Sequence, residues 1–563
     1  MKKLILLLLT SILFLNCSQN KEEKVVGLIS DKAMVVSARK EASNIGKEIL
    51  AQGGNAFDAM FATELALAVS YPQAGNIGGG GFMIYRLNNG ETGAIDYREK
   101  APLAAHKDMY LDEKSEIIDG KSTYGAMAVG VPGTIAGIFE VHKRFGTLPV
   151  KQLVQPSIDL ARKGMVLSKK QANQFNDLKT KILGANNYTT HFETKDWQEG
   201  DTLKFEQLAQ TLERIQQKGR DEFYKGETAA LLVNYIQELG GIITTEDLAK
   251  YEAKWRTPIT FDYKGHKIIS MTLPSSGGVC LAQILKGIEP FDLSSLEHNS
   301  TEYIQLVTES ERRAYADRSH YLGDMDFVEV PIDSLIDDAY IAERMSTFNW
   351  EKATSSAELS HGIIPGYESN ETTHYSIVDP MGNAVSVTTT LNLSFGSKVY
   401  VKDAGFFLNN EMDDFSSKPG TPNAFGLVGA EANAIAPEKR MLSSMTPTIV
   451  EKDGKLKMVV GSPGGSTIIT SVMQNIVNVL DYNMGMQESV NAARFHHQWL
   501  PDNIRMEPNG FNEEVKKELE KKGYEILEKE SLVLGQVNAI LILEDGRIEG
   551  AADPRNENSA KGF

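Results

Sequence analysis

Thr372-Thr373-His374-Tyr375-Ser376-Ile377-Val378 and Ala384-Val385-Ser386-Val387-Thr388-Thr389-Thr390-Leu391-Asn392 are two extended runs separated by Asp379-Pro380-Met381-Gly382-Asn383. β-Branched and aromatic residues fill the runs, and the Pro-, Gly- and Asn-containing segment between them is a turn. The pattern predicts a hairpin centred on Met381. Ile377 then faces Val385, Tyr375 faces Val387, Ser376 faces Ser386 and His374 faces Thr388. Apolar meets apolar and polar meets polar, as a hairpin with one buried face requires. The same register sets Thr372 opposite Thr390, with Asn392 on the Thr390 face because strand side chains alternate. Two threonines and an asparagine therefore meet at the mouth of the hairpin. Taken alone, these strands leave a plain reading open, since threonine is favoured in strands and need not react.

The hairpin follows residues 352–371, a segment with Gly362, Pro365 and Gly366 that reads as an exposed loop. Residues 130–350 read mostly as helices joined by short turns, for example 134–145, 153–163, 206–218 and 300–321. Further upstream, Ile45, Ile49 and Leu50 mark a helix over 41–52 that Gly53-Gly54 stops. Asn55 caps a second helix that ends by Tyr71-Pro72. Glycines 78–81 precede a strand at 82–85. No Gly-Lys-Ser/Thr follows them, so they are not a phosphate loop, and close backbone approach is the better reason for them.

The chain has 563 residues and a formal net charge of −17. It is long enough for a large core and too acidic for a polyanion binder, which excludes nucleic acid as a partner. Lys2 and Lys3 precede an apolar stretch at 4–15, too short for a permanent membrane span, and Cys17 follows. Residues 1–16 are similar to a lipoprotein signal peptide, although Asn16 departs from the small residue usual there. The expectation is an exported protein on the periplasmic or cell-surface side, lipidated at Cys17, with 17–26 as a tether and no other membrane contact. An ordinary cleaved signal is the alternative. Cys280 is the only other cysteine. It reads as a small buried hydrophobe, and no disulfide is expected. His496 and His497 are adjacent and do not face one ligand together, so neither metal nor cofactor is expected.

TTHYS at 372–376 is similar to the processing site of the gamma-glutamyltransferase family. Other family-like segments follow in order: NIGGGGF at 76–82, DYRE at 96–99, VPG at 131–133, PSSGG at 274–278 and ADRSHYLGD at 316–324. After the hairpin come NNEMDDF at 409–415, LSSMTPT at 442–448, GSPGGS at 461–466 and RFHHQWLP at 494–501. Each is weak by itself, whereas the whole series in order is specific. The resemblance covers residue 27 to the end. It implies an α/β (α+β type) fold: a four-layer αββα sandwich of two stacked antiparallel sheets, the N-terminal nucleophile hydrolase fold. It also implies self-cleavage between Glu371 and Thr372 into a large subunit (27–371) and a small one (372–563) that form a heterodimer with one shared core. Glu371 departs from the asparagine frequent at that position.

The chemistry fits those residues. A threonine hydroxyl needs a base beside it, and cutting before Thr372 frees an α-amine to serve. Thr372 would then form a gamma-glutamyl ester that passes to water or to an amino acid or dipeptide acceptor, with glutathione and other gamma-glutamyl compounds as donors. By resemblance Thr390 orients Thr372, Asn392 contacts substrate, and Gly464 and Gly465 supply backbone donors to the oxyanion. Arg98 would fork onto the α-carboxylate of the glutamyl head, with Ser443 and Ser444 as hydroxyl donors. Glu411 and Asp414 would meet the ammonium, and Asp413 reads as part of a solvated acidic turn. PGTPNAFGLVGA at 419–430 resembles the lid loop of some bacterial relatives, with Phe425 where tyrosine is frequent. Two other readings compete: a related acylase acting on beta-lactam side chains, and a non-catalytic surface lipoprotein. The first need not keep Arg98, Glu411, Asp414 and the serine pair together, and the second need not keep Thr372 and the glycine pair. No Gly-x-Ser-x-Gly elbow is present to suggest an α/β-hydrolase.

Overall fold

The two runs around Met381 are adjacent antiparallel strands, Thr373–Val378 and Ala384–Thr390, paired Tyr375 with Val387, Ser376 with Ser386 and Ile377 with Val385. This is the register expected from the side-chain pattern. Asp379 closes the turn by accepting from the backbone of Met381 and Asn383, both at 2.9 Å. The expectation of a single buried face fails, because His374, Ser376, Ser386 and Thr388 are as buried as the apolar face. A second sheet covers them, and they are small enough to satisfy one another and that sheet. Ser376 Oγ donates to the Asn538 carbonyl at 2.9 Å and Ser386 Oγ to that of Val460 at 3.1 Å. His374 Nδ1 lies 2.9 Å from Thr388 Oγ1, and burial pushes its imidazole down to about 3, so the ring stays neutral.

The computed structural model describes residues 25–359, 372–530 and 532–563. The expected signal segment, Cys17, most of the tether, Glu371 and residues 360–370 of the loop lie outside the described residues. Two seven-stranded antiparallel sheets stack on each other. One runs Ser559–Gly562, Met34–Ser37, Thr373–Val378, Ala384–Thr390, Gly80–Arg86, Thr92–Asp96 and Lys254–Arg256. The other runs Leu28–Ser30, Ile548–Ala552, Asn538–Ile542, Lys455–Val460, Thr448–Lys452, His266–Ser270 and Ile259–Tyr263. Thr373–Val378 thus pairs with Met34–Ser37 on its other side, so segments before and after Thr372 share one sheet and one core.

Helices cover both outer faces. Lys40–Ala51, Ala56–Ser70, Thr134–Phe145 and Val150–Lys163 pack with Tyr375, Ile377, Val385 and Val387 of the first sheet. Gly277–Ile288, Thr301–Tyr321 and Thr467–Leu480 pack with Ile268, Ile449, Val459 and Ile540 of the second. This is the four-layer αββα sandwich. Asn55 caps its helix as expected, accepting from the backbone of Phe57 and Asp58 at 2.9 Å each. Cys280 is fully buried in the second core, where burial pushes its thiol up to about 12. Reading 130–350 as mostly helical misses Lys254–Arg256, Ile259–Tyr263 and His266–Ser270. These strands are short, and the alternation in Ile259–Tyr263 is brief enough to be lost among longer helical periods.

The glycines at 78–81 serve close approach. Gly80–Arg86 pairs with Ala384–Thr390, placing Gly80 opposite Thr390 and Gly81 opposite Thr389. A Cβ on Gly79 would collide with the Thr390 carbonyl, and one on Gly81 with that of Thr388. The glycines let one strand press against the end of the other, where Thr390 sits.

Candidate active site

The reactive end of the hairpin is buried. Thr372 is 6% exposed, and its Oγ1 lies 3.5 Å from Thr390 Oγ1. Thr390 Oγ1 accepts from the Asn392 backbone at 2.8 Å, which fixes it beside Thr372. After the strand ends, Asn392 takes a left-handed conformation (φ 72°), which asparagine tolerates better than most residues. Its Nδ2 donates to the Asn410 carbonyl at 3.1 Å. Asn76, which the sequence alone does not assign, supports Thr390 from below. Its Nδ2 donates to the Thr390 carbonyl at 2.8 Å, and its Oδ1 accepts from Gly79 N and Thr134 Oγ1, each at 2.8 Å. The signal for it is its place in NIGGGGF, two residues before the crowded glycines.

Thr372, Thr390 and Asn392 line one cavity together with Arg98, Glu411, Asp414, Ser443, Ser444, Gly465 and Phe425. The charged members are in direct contact. Arg98 Nη1 bonds Glu411 and its Nη2 bonds Asp414, while Glu99 Oε2 lies 3.7 Å from Nη1. Its Nε donates to the Met441 carbonyl at 3.4 Å. The expectation that Arg98 offers both arms to a carboxylate is therefore not what this arrangement presents, because Glu411 and Asp414 hold the fork. Burial disfavours the charged form of Arg98, but Glu411, Asp414 and Glu99 outweigh it and hold the guanidinium above its ordinary range. Burial raises Glu411 well above the usual carboxylate range and Glu99 to about 7, with Arg98 pulling both back. Asp414 rises for the same reason.

Asp413 is not a solvated turn residue. It is buried, accepting from Ser122 Oγ at 2.7 Å and from the Ala424 backbone at 2.9 Å. Burial pushes its carboxyl up to about 6. Asp413 therefore ties the loop at 419–430 to Ser122, a role that a run of three acids in four residues concealed.

Gly464 and Gly465 both have positive φ, 137° and 54°, and stand just before the helix Thr467–Leu480. The positive end of that helix adds to any backbone donor presented there. A Cβ on Gly465 would collide with the Phe425 ring, so the glycine allows the loop to close on it. The loop is a small hairpin with Pro422 bridged to Val428, and Asn423 Oδ1 accepts from Phe425 N at 3.0 Å and Leu427 N at 3.2 Å. Gln498 Nε2 donates to the Phe425 carbonyl at 3.3 Å, which gives RFHHQWLP a place at the site. Phe425 lacks a hydroxyl, and its buried ring lines the cavity. Phe425→Ala is expected to leave self-cleavage intact, raise KM for the donor several-fold and increase hydrolysis relative to transfer. The measurement is that ratio at fixed acceptor concentration. Wild-type values for both would make Phe425 an anchor and nothing more.

His496 and His497 are both buried, and burial holds their imidazoles down to about 3 and about 4. His496 serves Thr470 and Gln498, and His497 serves Asp502. They are structural hydrogen-bonding groups outside the cavity.

The sequence profile described as gamma-glutamyltranspeptidase matches residues 42–563. The chain belongs to that family. It is 47% identical over 548 residues to the glutathione hydrolase proenzyme of Escherichia coli, covering 96% of this chain and 93% of that protein. The gamma-glutamyltranspeptidase structure from Helicobacter pylori superimposes with a TM-score of 0.56 at 43% identity, covering 60% of this chain and 95% of that one. A cephalosporin acylase from Bacillus halodurans shares the fold, with a TM-score of 0.83 at 23% identity over 98% of this chain and 99% of that one. The architecture is that of the N-terminal nucleophile hydrolases. For this gamma-glutamyltranspeptidase family member, the motifs scattered along the sequence converge in space: NIGGGGF supports Thr390, DYRE supplies Arg98, and NNEMDDF supplies Glu411 and Asp414.

Proposed function

We propose that the chain is a self-cleaving gamma-glutamyltransferase and glutathione hydrolase with Thr372 as its nucleophile. The observation that carries this reading is one buried cavity in which the Thr372 hydroxyl, Gly465 and a cluster of opposite charges meet. In the uncut chain, Thr372 Oγ1 attacks the Glu371 carbonyl and the peptide nitrogen leaves as the new α-amine. The ester so formed is opened by water, dividing the chain between Glu371 and Thr372 into two subunits around one core. The freed amine, ordinarily of pKa ~8, becomes the base that takes the Thr372 hydroxyl proton. Thr372 then attacks the gamma-carbonyl of the donor. The oxyanion is met by backbone donors at Gly464 and Gly465, each such donor ordinarily contributing ~2.7–4 kcal/mol. The donor's amine leaves with a proton, and water or an acceptor amine takes the glutamyl group from the ester. Ser443 and Ser444, backed by the Arg98 charge, read the α-carboxylate, Glu411 and Asp414 read the ammonium, and Asn392 contacts the donor.

Opposite charges packed together suit a zwitterionic head, which has one carboxylate and one ammonium to insert between them. A simple acyl group offers no such pair, so this cluster favours gamma-glutamyl donors over uncharged acyl donors. The experiment is turnover of glutathione with and without a dipeptide acceptor. Glutamate should be released without acceptor, and a gamma-glutamyl tripeptide should appear with it. Failure to cleave glutathione and other gamma-glutamyl amides alike would overturn the reading.

The proposed location is the exported face of a membrane, held by lipid at Cys17, with the signal-like segment 1–16 as support. Cys17→Ser is expected to move the protein from the membrane fraction to the soluble one. A Ser variant whose signal is cleaved and which still sediments with membranes would count against the anchor.

A further inference from the structure

A second guanidinium faces the cavity. Arg318 lies near the end of the helix Thr301–Tyr321 and is 4% exposed. It lines the same cavity as Thr372 and Arg98. Its Nε donates to Ser276 Oγ at 2.9 Å and its Nη2 to Ser444 Oγ at 3.2 Å. Among the described residues no carboxylate stands within ion-pairing distance of it; Asp414 acts on it only from farther away. Arg98 differs, since Glu411 and Asp414 occupy its fork.

The direction of these bonds matters. A guanidinium only donates, whereas a hydroxyl has one hydrogen to give and two lone pairs to accept with. Ser444 Oγ must therefore accept from Arg318, which leaves its own hydrogen to be donated elsewhere. Ser443 Oγ is set the same way, accepting from the Met445 backbone at 3.1 Å. Neither hydroxyl hydrogen has an acceptor among the described residues, and both side chains line the cavity. Ser276 links the two halves. It accepts from Arg318 and donates its own hydroxyl to the Ser443 carbonyl at 2.7 Å, while its backbone donates to the same carbonyl at 2.8 Å. PSSGG, ADRSHYLGD and LSSMTPT thus meet in one network whose outlet is a pair of hydroxyl donors.

We propose that Arg318 is a positioning residue for donor recognition: by donating to Ser444 it turns that hydroxyl toward the α-carboxylate of the glutamyl head, and it adds a buried positive charge behind it. This rests on the gamma-glutamyl reading above. Burial lowers the Arg318 guanidinium from its ordinary value, yet arginine remains charged at neutral pH, so the charge is present where the carboxylate arrives. The competing role is structural, with Arg318 only filling the space between Ser276 and Ser444.

The two roles separate with a pair of donors: a gamma-glutamyl anilide, and the 4-aminobutyryl anilide that keeps the ammonium and lacks the α-carboxylate. Purified, self-cleaved Arg318→Gln, Arg318→Lys and Ser444→Ala enzymes are compared with wild type. For the gamma-glutamyl donor, Arg318→Gln should lose roughly ten- to a hundredfold in kcat/KM, the scale of one charge-assisted hydrogen bond, and mostly through KM. Arg318→Lys should recover part of that loss. For the 4-aminobutyryl donor both Arg318 variants should stay within about twofold of wild type, and Ser444→Ala should lose less than it does on the gamma-glutamyl donor. In a Ser444→Ala background, Arg318→Gln should cost less than it does alone, because part of its effect passes through that hydroxyl. Equal losses on both donors would overturn the proposal in favour of a structural role, and so would a wild-type KM for the gamma-glutamyl donor. Should the Arg318 variants fail to fold, Ser444→Ala must still show the donor contrast, and its absence overturns the proposal. A wild-type enzyme inactive on the gamma-glutamyl donor would instead defeat the underlying reading.

Discussion

Thr372→Ala is expected to remain a single uncut chain and to lose gamma-glutamyl turnover by roughly 10⁴-fold or more, the scale seen when a nucleophile is removed. Both losses have one cause. The same oxygen attacks the Glu371 carbonyl in the precursor and the donor carbonyl afterwards, and the base for the second attack exists only after the first has succeeded. The fold should survive. Thr372 precedes Thr373–Val378 and contributes a small side chain, while the pairing of that strand with its two neighbours is made by residues the substitution leaves alone. The variant should therefore be soluble, of native secondary structure and uncleaved. Two fragments from it in a protease-deficient host would remove self-cleavage from the account.

Arg98→Lys is expected to cleave itself normally and to show a KM for the gamma-glutamyl donor raised by about two orders of magnitude, with a smaller change in kcat. Lysine keeps the charge and loses the planar fork. Arg98 bridges Glu411 and Asp414 with different nitrogens, with Glu99 close to one of them. An ammonium cannot span that geometry, and leaving one buried donor or acceptor unpaired typically costs ~1–3 kcal/mol, more where it is charged. With the positive charge no longer held against both of them, the already raised carboxyls of Glu411 and Glu99 should hold their protons to still higher pH. The site would then read an ammonium poorly as well as a carboxylate. An unchanged KM would take Arg98 out of the head-group pocket.

Much of this was legible in the residues. The register of Thr373–Val378 against Ala384–Thr390 follows from side-chain alternation alone, and it sets Thr372 beside Thr390. The glycines at 78–81 announced close approach without saying to what; only the pairing of Gly80 with Thr390 answers that. The burial of the hairpin's polar face was not legible, since it depends on a second sheet made from strands as far apart in sequence as Thr448–Lys452 and Asn538–Ile542. Asp413 misled because adjacent acids look alike in sequence, and its partners Ser122 and Ala424 come from elsewhere. Arg318 and Ser276 lay inside quoted motifs with no role, because their chemistry appears only when three distant segments meet.

The most direct test of Thr372 as nucleophile is the mass of the small subunit. Purified wild-type protein, left to mature and then quenched in acid with excess gamma-glutamyl donor, should yield a fragment beginning at Thr372, part of it heavier by one glutamyl residue. Peptide mapping should place that residue on Thr372 as an ester. A fragment that begins elsewhere, or a glutamyl adduct on any other side chain, would contradict the account.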